Sequence, residues 1–226
     1  MTQRALLLLA AATLLGCGNA SSAPAATTGT PTTGAKIQGA PQAASQAEIG
    51  KPAPDFTLQD YEGKTVHLAD LRGKTVVLEW FNPDCPFVKA AHNKGSLTDD
   101  AKRQSAKGIV WLGLNSAASG KQGFGPERVN EGKKAFNLDH PVLADTTGQV
   151  GKLYGATNTP HMYVIDAKGT LVYKGAIDNS PDGEGQSPTG GKLINYVDAA
   201  LDDLAAGKPV ATPETKAYGC GVKYGS

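Results

Sequence analysis

Residues 75–86 read Thr75-Val76-Val77-Leu78-Glu79-Trp80-Phe81-Asn82-Pro83-Asp84-Cys85-Pro86, and this stretch decides the fold. From Val76 to Phe81 every residue except Glu79 is apolar, so both faces of the strand are apolar. This is typical of a strand buried on both faces. Asp84 is a suitable N-cap and proline is tolerated in a first helical turn, so a helix is predicted to begin beside Cys85. Cys85 therefore stands where a central strand meets a helix, and it is the first candidate for chemistry.

The flanking sequence predicts an α/β domain, because strand-like and helix-like apolar patterns alternate along it. We expect a central mixed sheet flanked by helices, with an N-terminal hairpin that turns at Glu62-Gly63 and a C-terminal tail. The predicted strands are 56–58, 66–68, 75–81, 109–114, 161–165 and 171–173, and the later predicted helices are 126–136 and 193–204.

The composition limits the classes of function. The chain has 226 residues and a formal net charge of +1, with a sequence pI near 7.7. It contains no block of consecutive Lys or Arg that could follow a phosphate backbone, so nucleic acid is not an expected partner. The length suits one domain with additional segments.

Residues 1–17 predict a bacterial lipoprotein signal peptide. Arg4 precedes an apolar run that ends at Leu15 and is too short to span a bilayer. Leu14-Leu15-Gly16-Cys17 resembles a lipobox, so Cys17 is predicted to become the first residue and to carry the lipid. An ordinary signal peptide cut elsewhere is the alternative. Both predict export, and the lipobox places the domain on the bacterial envelope, facing the periplasm or the cell exterior.

Residues 18–47 are predicted to form a disordered tether, because Ala, Ser, Thr, Pro and Gly bury too little surface to offset the entropy of ordering. Residues 48–226 are then predicted to form one domain, with ordered structure from about Ile49.

Cysteine use points to thiol chemistry outside the cytoplasm. With Cys17 lipidated, Cys85 and Cys220 remain as a pair where disulfides can persist. Unpaired N–H groups and partial positive charge at a helix N-terminus favour a thiolate, and Lys89 on the same helical face would add to this effect. An inert, buried Cys85 is the alternative.

These features resemble the thioredoxin fold, specifically redoxins of the alkyl hydroperoxide reductase and thiol-specific antioxidant group. A peroxiredoxin-like bacterial subgroup carries Cys-Pro-Phe/Tyr-Val and ends in Gly-Cys-x-x-Lys-aromatic. The corresponding stretches here are Cys85-Pro86-Phe87-Val88 and Gly219-Cys220-Gly221-Val222-Lys223-Tyr224. Gly155-Ala156-Thr157-Asn158-Thr159-Pro160 and Tyr173-Lys174-Gly175-Ala176-Ile177-Asp178 extend the similarity from about Ile49 to the C-terminus. The resemblance implies a thioredoxin-like fold and a redox-active Cys85, with Pro86 shaping the site.

Cys220 is predicted to be the resolving thiol. Thioredoxins keep a second cysteine three residues after the first, where this chain has Val88. A mixed disulfide or sulfenic acid on Cys85 must therefore be resolved by an outside thiol or by Cys220. Gly219 and Gly221 suggest a flexible tail that swings toward the helix end, as in peroxiredoxins with a C-terminal resolving cysteine. A permanent disulfide that pins the tail is the alternative.

Glu79 is a carboxylate in a buried strand, which is costly unless it is paired or used. By resemblance it corresponds to the buried acid that moves protons beneath the active site of thioredoxin-like proteins, and burial is expected to raise its pKa. An edge-facing or ion-paired Glu79 is the alternative. His92 lies on the same helical face as Cys85 but about 10 Å along the axis, so it cannot touch the sulfur, and it is predicted to be a surface histidine.

Thr159 and Pro160 resemble the cis-proline loop of thioredoxin folds. There the proline shapes the cleft, and the backbone before it can pair with a substrate chain. His67, His140 and His161 share no spacing with the cysteines that suggests zinc, so no metal or other cofactor is predicted.

Peroxidase activity is less well supported by the resemblance. Typical peroxiredoxins have Pro and then Thr or Ser at seven and three residues before the nucleophile, where this chain has Leu78 and Asn82. Asn82 is predicted to shape the site and can hydrogen-bond a peroxide oxygen, but Leu78 cannot replace the proline. Arg128 cannot be identified as an activating arginine.

The sequence therefore predicts an envelope-tethered thiol oxidoreductase that acts by thiol–disulfide exchange or as a peroxiredoxin-like antioxidant. The expected partners are protein thiols or disulfides or small hydroperoxides, an external thiol electron donor, and a membrane reached through the lipid anchor. One alternative is a non-catalytic binding or assembly module with a structural Cys85–Cys220 disulfide. Copper delivery is disfavoured because such lipoproteins use Cys-x-x-x-Cys, and Phe81 occupies the first position here.

Overall fold

The strand before Cys85 lies at the centre of a five-stranded mixed sheet in the computed structural model, which describes residues 46–225. This strand, β3 (Val76–Trp80), is buried at every position. It pairs in parallel with β4 (Val110–Asn115) and antiparallel with β7 (Met162–Ile165). β5 (Val142–Ala144) and β8 (Leu171–Gly175) complete the order β5-β4-β3-β7-β8. The predicted central position of the strand is confirmed.

The predicted elements occur in the predicted order with shifted bounds, and further short elements lie between and after them. The N-terminal hairpin consists of β1 (Thr57–Gln59) and β2 (Thr65–His67), followed by a short 3-10 helix (Leu68–Leu71). The helices are α1 (Pro86–Asn93), α2 (Asp100–Ser105), α3 (Pro126–Ala135), α4 (Gln149–Tyr154) and α5 (Tyr196–Ala205). A separate two-stranded sheet joins β6 (Asn158–Thr159) to β9 (Cys220–Gly221).

The differences from the predicted elements have local causes. The helices α2 and α4 and the strands β5, β6 and β9 were not predicted. Six residues are too few to display a helical period, and strands of two or three residues carry little alternation. The helix predicted at 193–204 begins instead at Tyr196, because the Asn195 side chain accepts a hydrogen bond from the backbone N–H of Asp198 and caps it.

Helices cover both faces of the sheet. Successive side chains of β3 point to opposite faces. Leu78 and Trp80 pack with Tyr154 of α4 on one face, whereas Val77 packs with Val197 of α5 on the other. The predicted α/β architecture with a mixed sheet between helices is confirmed.

The packed domain begins slightly before the predicted boundary. Ala47, assigned from the sequence to the tether, is 4% exposed and donates its backbone N–H to the Leu153 carbonyl at 3.1 Å. A small apolar side chain in a polar stretch gave no sequence signal for this contact. Cys17, the predicted signal peptide and nearly all of the predicted tether lie outside the described residues.

The chain after α5 returns to the sheet before it reaches β9. Lys174 of β8 exchanges backbone hydrogen bonds with Pro213 and Thr215. The chain then crosses to β6, and this crossing delivers Cys220 to the loop that follows strand β3. Within residues 46–225, no helix combines the length and the apolar character needed to cross a bilayer.

Candidate active site

Cys85 lies at the carboxyl end of the central strand and is the N-cap of α1. The preceding loop is held by Asn82, whose side-chain oxygen accepts from the Asp84 backbone N–H at 2.9 Å and whose amide donates to the Gln122 carbonyl at 3.1 Å. Pro86 is exposed and occupies the first turn of α1. The predicted N-cap, Asp84, does not cap the helix, because its carboxylate pairs with Arg128.

The two cysteines of the domain meet, although they lie 135 positions apart in the sequence. Both are free thiols. The Cys85 Sγ lies 2.6 Å from the Cys220 Sγ and 3.0 Å from the Thr159 carbonyl oxygen. Cys85 is fully buried, whereas Cys220 is partly exposed. The site is therefore a thiol pair with one inner and one outer sulfur.

The thiol of Cys220 is held in its protonated form. Burial, the hydrogen bond with Cys85 and the charge interaction with Cys85 raise the pKa of Cys220 to about 11. A hydrogen bond from the backbone N–H of Phe87, in the first turn of α1, acts in the opposite direction. The first turn of α1 thus directs one backbone N–H, that of Phe87, at the sulfur of Cys220.

The tail around Cys220 is held against the domain by hydrogen bonds, whereas the sequence predicted a flexible tail that moves toward the helix end. Before Cys220, the Tyr218 hydroxyl donates to Asp178 at 2.7 Å. After it, the Val222 N–H donates to the Thr157 carbonyl at 3.1 Å and the Tyr224 hydroxyl donates to the Ala156 carbonyl at 2.7 Å. Contacts on both sides of Cys220 explain how a glycine-rich segment is held in place.

The loop before β7 forms the other wall of the site. The Thr159–Pro160 peptide bond is cis, as the resemblance to the cis-proline loop of thioredoxin folds implied. Thr159 pairs with Cys220 in the β6–β9 sheet. Gly219 has φ +117°, and a Cβ there would overlap the Thr159 carbonyl oxygen, so glycine permits this close approach of the two chains.

Glu79 lies beneath α1 and is paired. It is fully buried, with one oxygen 2.7 Å from the His92 Nε2 and the other accepting from the Trp111 indole N–H at 3.1 Å. Burial alone raises the pKa of Glu79, but the charge and hydrogen bond of His92, with smaller contributions from His140 and Trp111, outweigh it and lower the pKa. The expected rise in this pKa is therefore wrong, and the ion-paired alternative holds.

His92 was predicted at the surface and is instead 6% exposed. It lies on the face of α1 that also buries Val88 and Ala91, and its ring stacks on Phe136 with the centroids 5.4 Å apart. The sequence held a usable signal, because a carboxylate in a buried strand needs a cationic partner. Lys89, by contrast, is exposed, and its charge acts on Asp84.

In the described part of the chain, no group of three or more His, Cys, Asp or Glu side chains is arranged to hold a metal ion.

The sequence profile of the AhpC/TSA family matches residues 49–174. The chain belongs to the AhpC/TSA family. The matched region contains Cys85, Thr159 and Pro160 and ends before Cys220. The expected membership of the alkyl hydroperoxide reductase and thiol-specific antioxidant group is confirmed, and so is the broad prediction of a thiol oxidoreductase.

Individual relatives represent two kinds of thiol enzyme. The thiol-disulfide oxidoreductase ResA of Bacillus thuringiensis subsp. konkukian is 31% identical over 126 residues, which is 55% of this chain and 68% of ResA. Peroxiredoxin-2 of Cricetulus griseus is 32% identical over 142 residues, covering 57% of this chain and 69% of the relative. A solved structure of a hypothetical protein from Sinorhizobium meliloti 1021 has a TM-score of 0.68 at 30% identity and covers 80% of this chain and 97% of its own.

Proposed function

We propose that this chain is an envelope-tethered thiol–disulfide oxidoreductase in which Cys85 and Cys220 alternate between a dithiol and a disulfide. The observation that carries the proposal is the approach of the two free sulfurs to 2.6 Å beside a cis-proline loop. Two sulfurs in contact can form a bond with little movement of the backbone. The similarity to ResA, an enzyme named for this chemistry, supports the same conclusion.

Thiol–disulfide exchange is favoured over peroxide reduction by the residues around Cys85. Asn82 already uses its side-chain oxygen and amide to hold the loop. Arg128 pairs with Asp84 and Glu131. Hydroperoxides stay the second candidate substrate because peroxiredoxin-2 is among the relatives. Protein thiols or disulfides are the first candidate, with an external thiol as electron donor.

The other site residues enter the proposal in supporting positions. Asn82, Pro86, Thr159 and Pro160 shape the walls around the two sulfurs. Glu79 is assigned a positioning role, because His92 joins it to α1 and the lowered pKa keeps it ionised. The lipid on Cys17 and the exported location also belong to the proposal, and they rest on the lipobox sequence.

The proposal is tested by redox titration of the full chain carrying Cys17→Ala, with Cys85→Ser and Cys220→Ser variants as controls. The Cys85–Cys220 pair should titrate reversibly as a two-electron couple with a potential above roughly −300 mV, the range of labile rather than structural disulfides. Cys85→Ser should abolish turnover of disulfide and hydroperoxide substrates while circular dichroism shows an unchanged fold. A potential well below that range, or full activity in Cys85→Ser, would support the structural-bridge alternative.

A further inference from the structure

The strand β9 occupies the backbone edge beside the cis-proline. Cys220 pairs with Thr159, the residue immediately before Pro160. The Gly219 backbone lies so close to the Thr159 carbonyl that no other chain can pass between them. The edge that would otherwise receive an extended substrate is therefore filled by the protein's own tail.

The same tail covers the inner sulfur. Cys85 has no exposed surface, and its Sγ is enclosed by the Thr159 carbonyl and the Cys220 sulfur. Cys220 keeps part of its surface in solvent, and the space beside the neighbouring Gly221 Cα is open, with no atom within 4 Å of a Cβ placed there. An approaching thiol thus meets Cys220 first.

We propose that Cys220 is the sulfur attacked by the substrate, so that the mixed disulfide forms on Cys220 while Cys85 is the internal leaving thiol. This inference rests on the proposed Cys85–Cys220 couple and specifies the order in which its disulfide bonds break and form.

Atoms and electrons balance when the oxidised Cys85–Cys220 pair reacts with a substrate that carries two thiols. A substrate thiolate attacks the Cys220 Sγ of the disulfide, the Cys85–Cys220 bond breaks, and Cys85 departs with the bonding electron pair as a thiolate. The second thiolate of the substrate then attacks the substrate sulfur of the mixed disulfide and releases Cys220. The substrate loses two electrons and becomes a disulfide, and the protein pair gains them and takes up two protons from water.

The protonation of Cys220 favours this order of bonds. A thiol with a lower pKa leaves faster in disulfide exchange. Attack on Cys85 would have to expel Cys220, whose pKa is raised to about 11. Attack on Cys220 expels Cys85 first and leaves the release of Cys220 to the second step, in which the attacking thiolate is already tethered to Cys220 through the substrate.

The test locates the adduct on the oxidised full chain carrying Cys17→Ala. The protein is mixed with 2-mercaptoethanol, quenched in acid so that thiolates are protonated and exchange stops, digested and mapped by mass spectrometry. The early adduct is expected on Cys220, in about tenfold excess over Cys85. An adduct mainly on Cys85 overturns this inference and leaves the redox couple intact. A disulfide that 2-mercaptoethanol does not open in the folded protein overturns the proposed function as well.

A second measurement separates access from reactivity. In the reduced single-thiol proteins Cys85→Ser and Cys220→Ser, each remaining thiol is labelled with N-ethylmaleimide and with bulky fluorescein maleimide. For each thiol, the rate with fluorescein maleimide is divided by the rate with N-ethylmaleimide. The fraction of thiolate affects both rates equally, so it does not change this bulky-to-small ratio. The bulky-to-small ratio should be about tenfold lower for Cys85 than for Cys220 in folded protein and equal in denaturant. Equal ratios in folded protein would overturn the burial argument.

Discussion

At the scale of single residues, the buried pair of Glu79 and His92 should contribute more to stability than any exposed ion pair. Removing one partner leaves the other buried without compensation, so Glu79→Gln is expected to lower the free energy of unfolding by about 3 kcal/mol at pH 7. Urea denaturation of Glu79→Gln, His92→Phe and the double variant gives the coupling energy of the pair. The pH dependence has a definite sign, because a lowered pKa stabilises the fold above the ordinary carboxyl pKa and the contribution is lost as the pH falls through the folded value.

A matched control is the ion pair of Lys174 and Glu214, whose carboxylate side chain is 60% exposed. Glu214→Gln should change the free energy of unfolding by less than about 1 kcal/mol. If Glu79→Gln leaves stability unchanged but slows disulfide exchange, then Glu79 carries protons and the positioning role is wrong.

The position of the reactive cysteine could be predicted from the sequence, but the pKa of the buried carboxylate could not. The position of Cys85 followed from a local pattern, an apolar strand that runs directly into the start of a helix. The pKa of Glu79 did not follow, because its sign depends on His92 across the strand–helix interface. Burial and pairing act in opposite directions on a carboxylate, and only the structure shows which is larger.

At the scale of elements, the starts of α2 and α5 share an acidic cluster that should make stability depend on pH. Asp100 is fully buried and accepts from Arg103 at 2.8 Å, while the Asp198 carboxylate accepts from Arg103 at 3.3 Å and from the Asn195 side-chain amide at 3.1 Å. Burial and the charge of Asp198, only partly offset by Arg103, raise the pKa of Asp100 to about 7. Between the ordinary carboxyl pKa and this value the folded state holds a proton that the unfolded state has lost, so stability falls as the pH rises.

Asp100→Asn mimics the protonated carboxyl and keeps a donor toward Asp198. The variant should match the parent in stability near the ordinary carboxyl pKa and exceed it by on the order of 2 kcal/mol at pH 8, as thermal or urea unfolding across the pH range would show. Asp202→Asn, at an exposed position on α5, should leave the pH dependence unchanged. A parent-like slope in Asp100→Asn would mean that Asp100 is ionised throughout.

At the scale of the whole molecule, the pairing of Cys85 with Cys220 was predicted from the cysteine count and the family resemblance, whereas local sequence patterns did not show how the two residues meet. The strand and helix order follow from periodicity within short windows. The path of the tail depends on separate contacts made by Tyr218, Val222 and Tyr224 with distant segments. None of these contacts has a sequence period, and the glycines on either side of Cys220 suggested mobility rather than close packing.

The last prediction concerns the predicted anchor at Cys17, which lies outside the described residues. If Cys17 carries the lipid and residues 18–45 only connect it to the domain, then Cys17→Ala should move the protein from the membrane fraction to the soluble exported fraction. The reduction potential of the Cys85–Cys220 pair should not change, because every contact to the two sulfurs described above comes from residues beyond the tether. Fractionation with labelled palmitate measures both location and acylation, and Ser22→Ala, a similar small change in the tether, should remain acylated and membrane-bound. Retention of unlabelled Cys17→Ala in the membrane fraction would show that something other than a lipidated Cys17 holds the protein there.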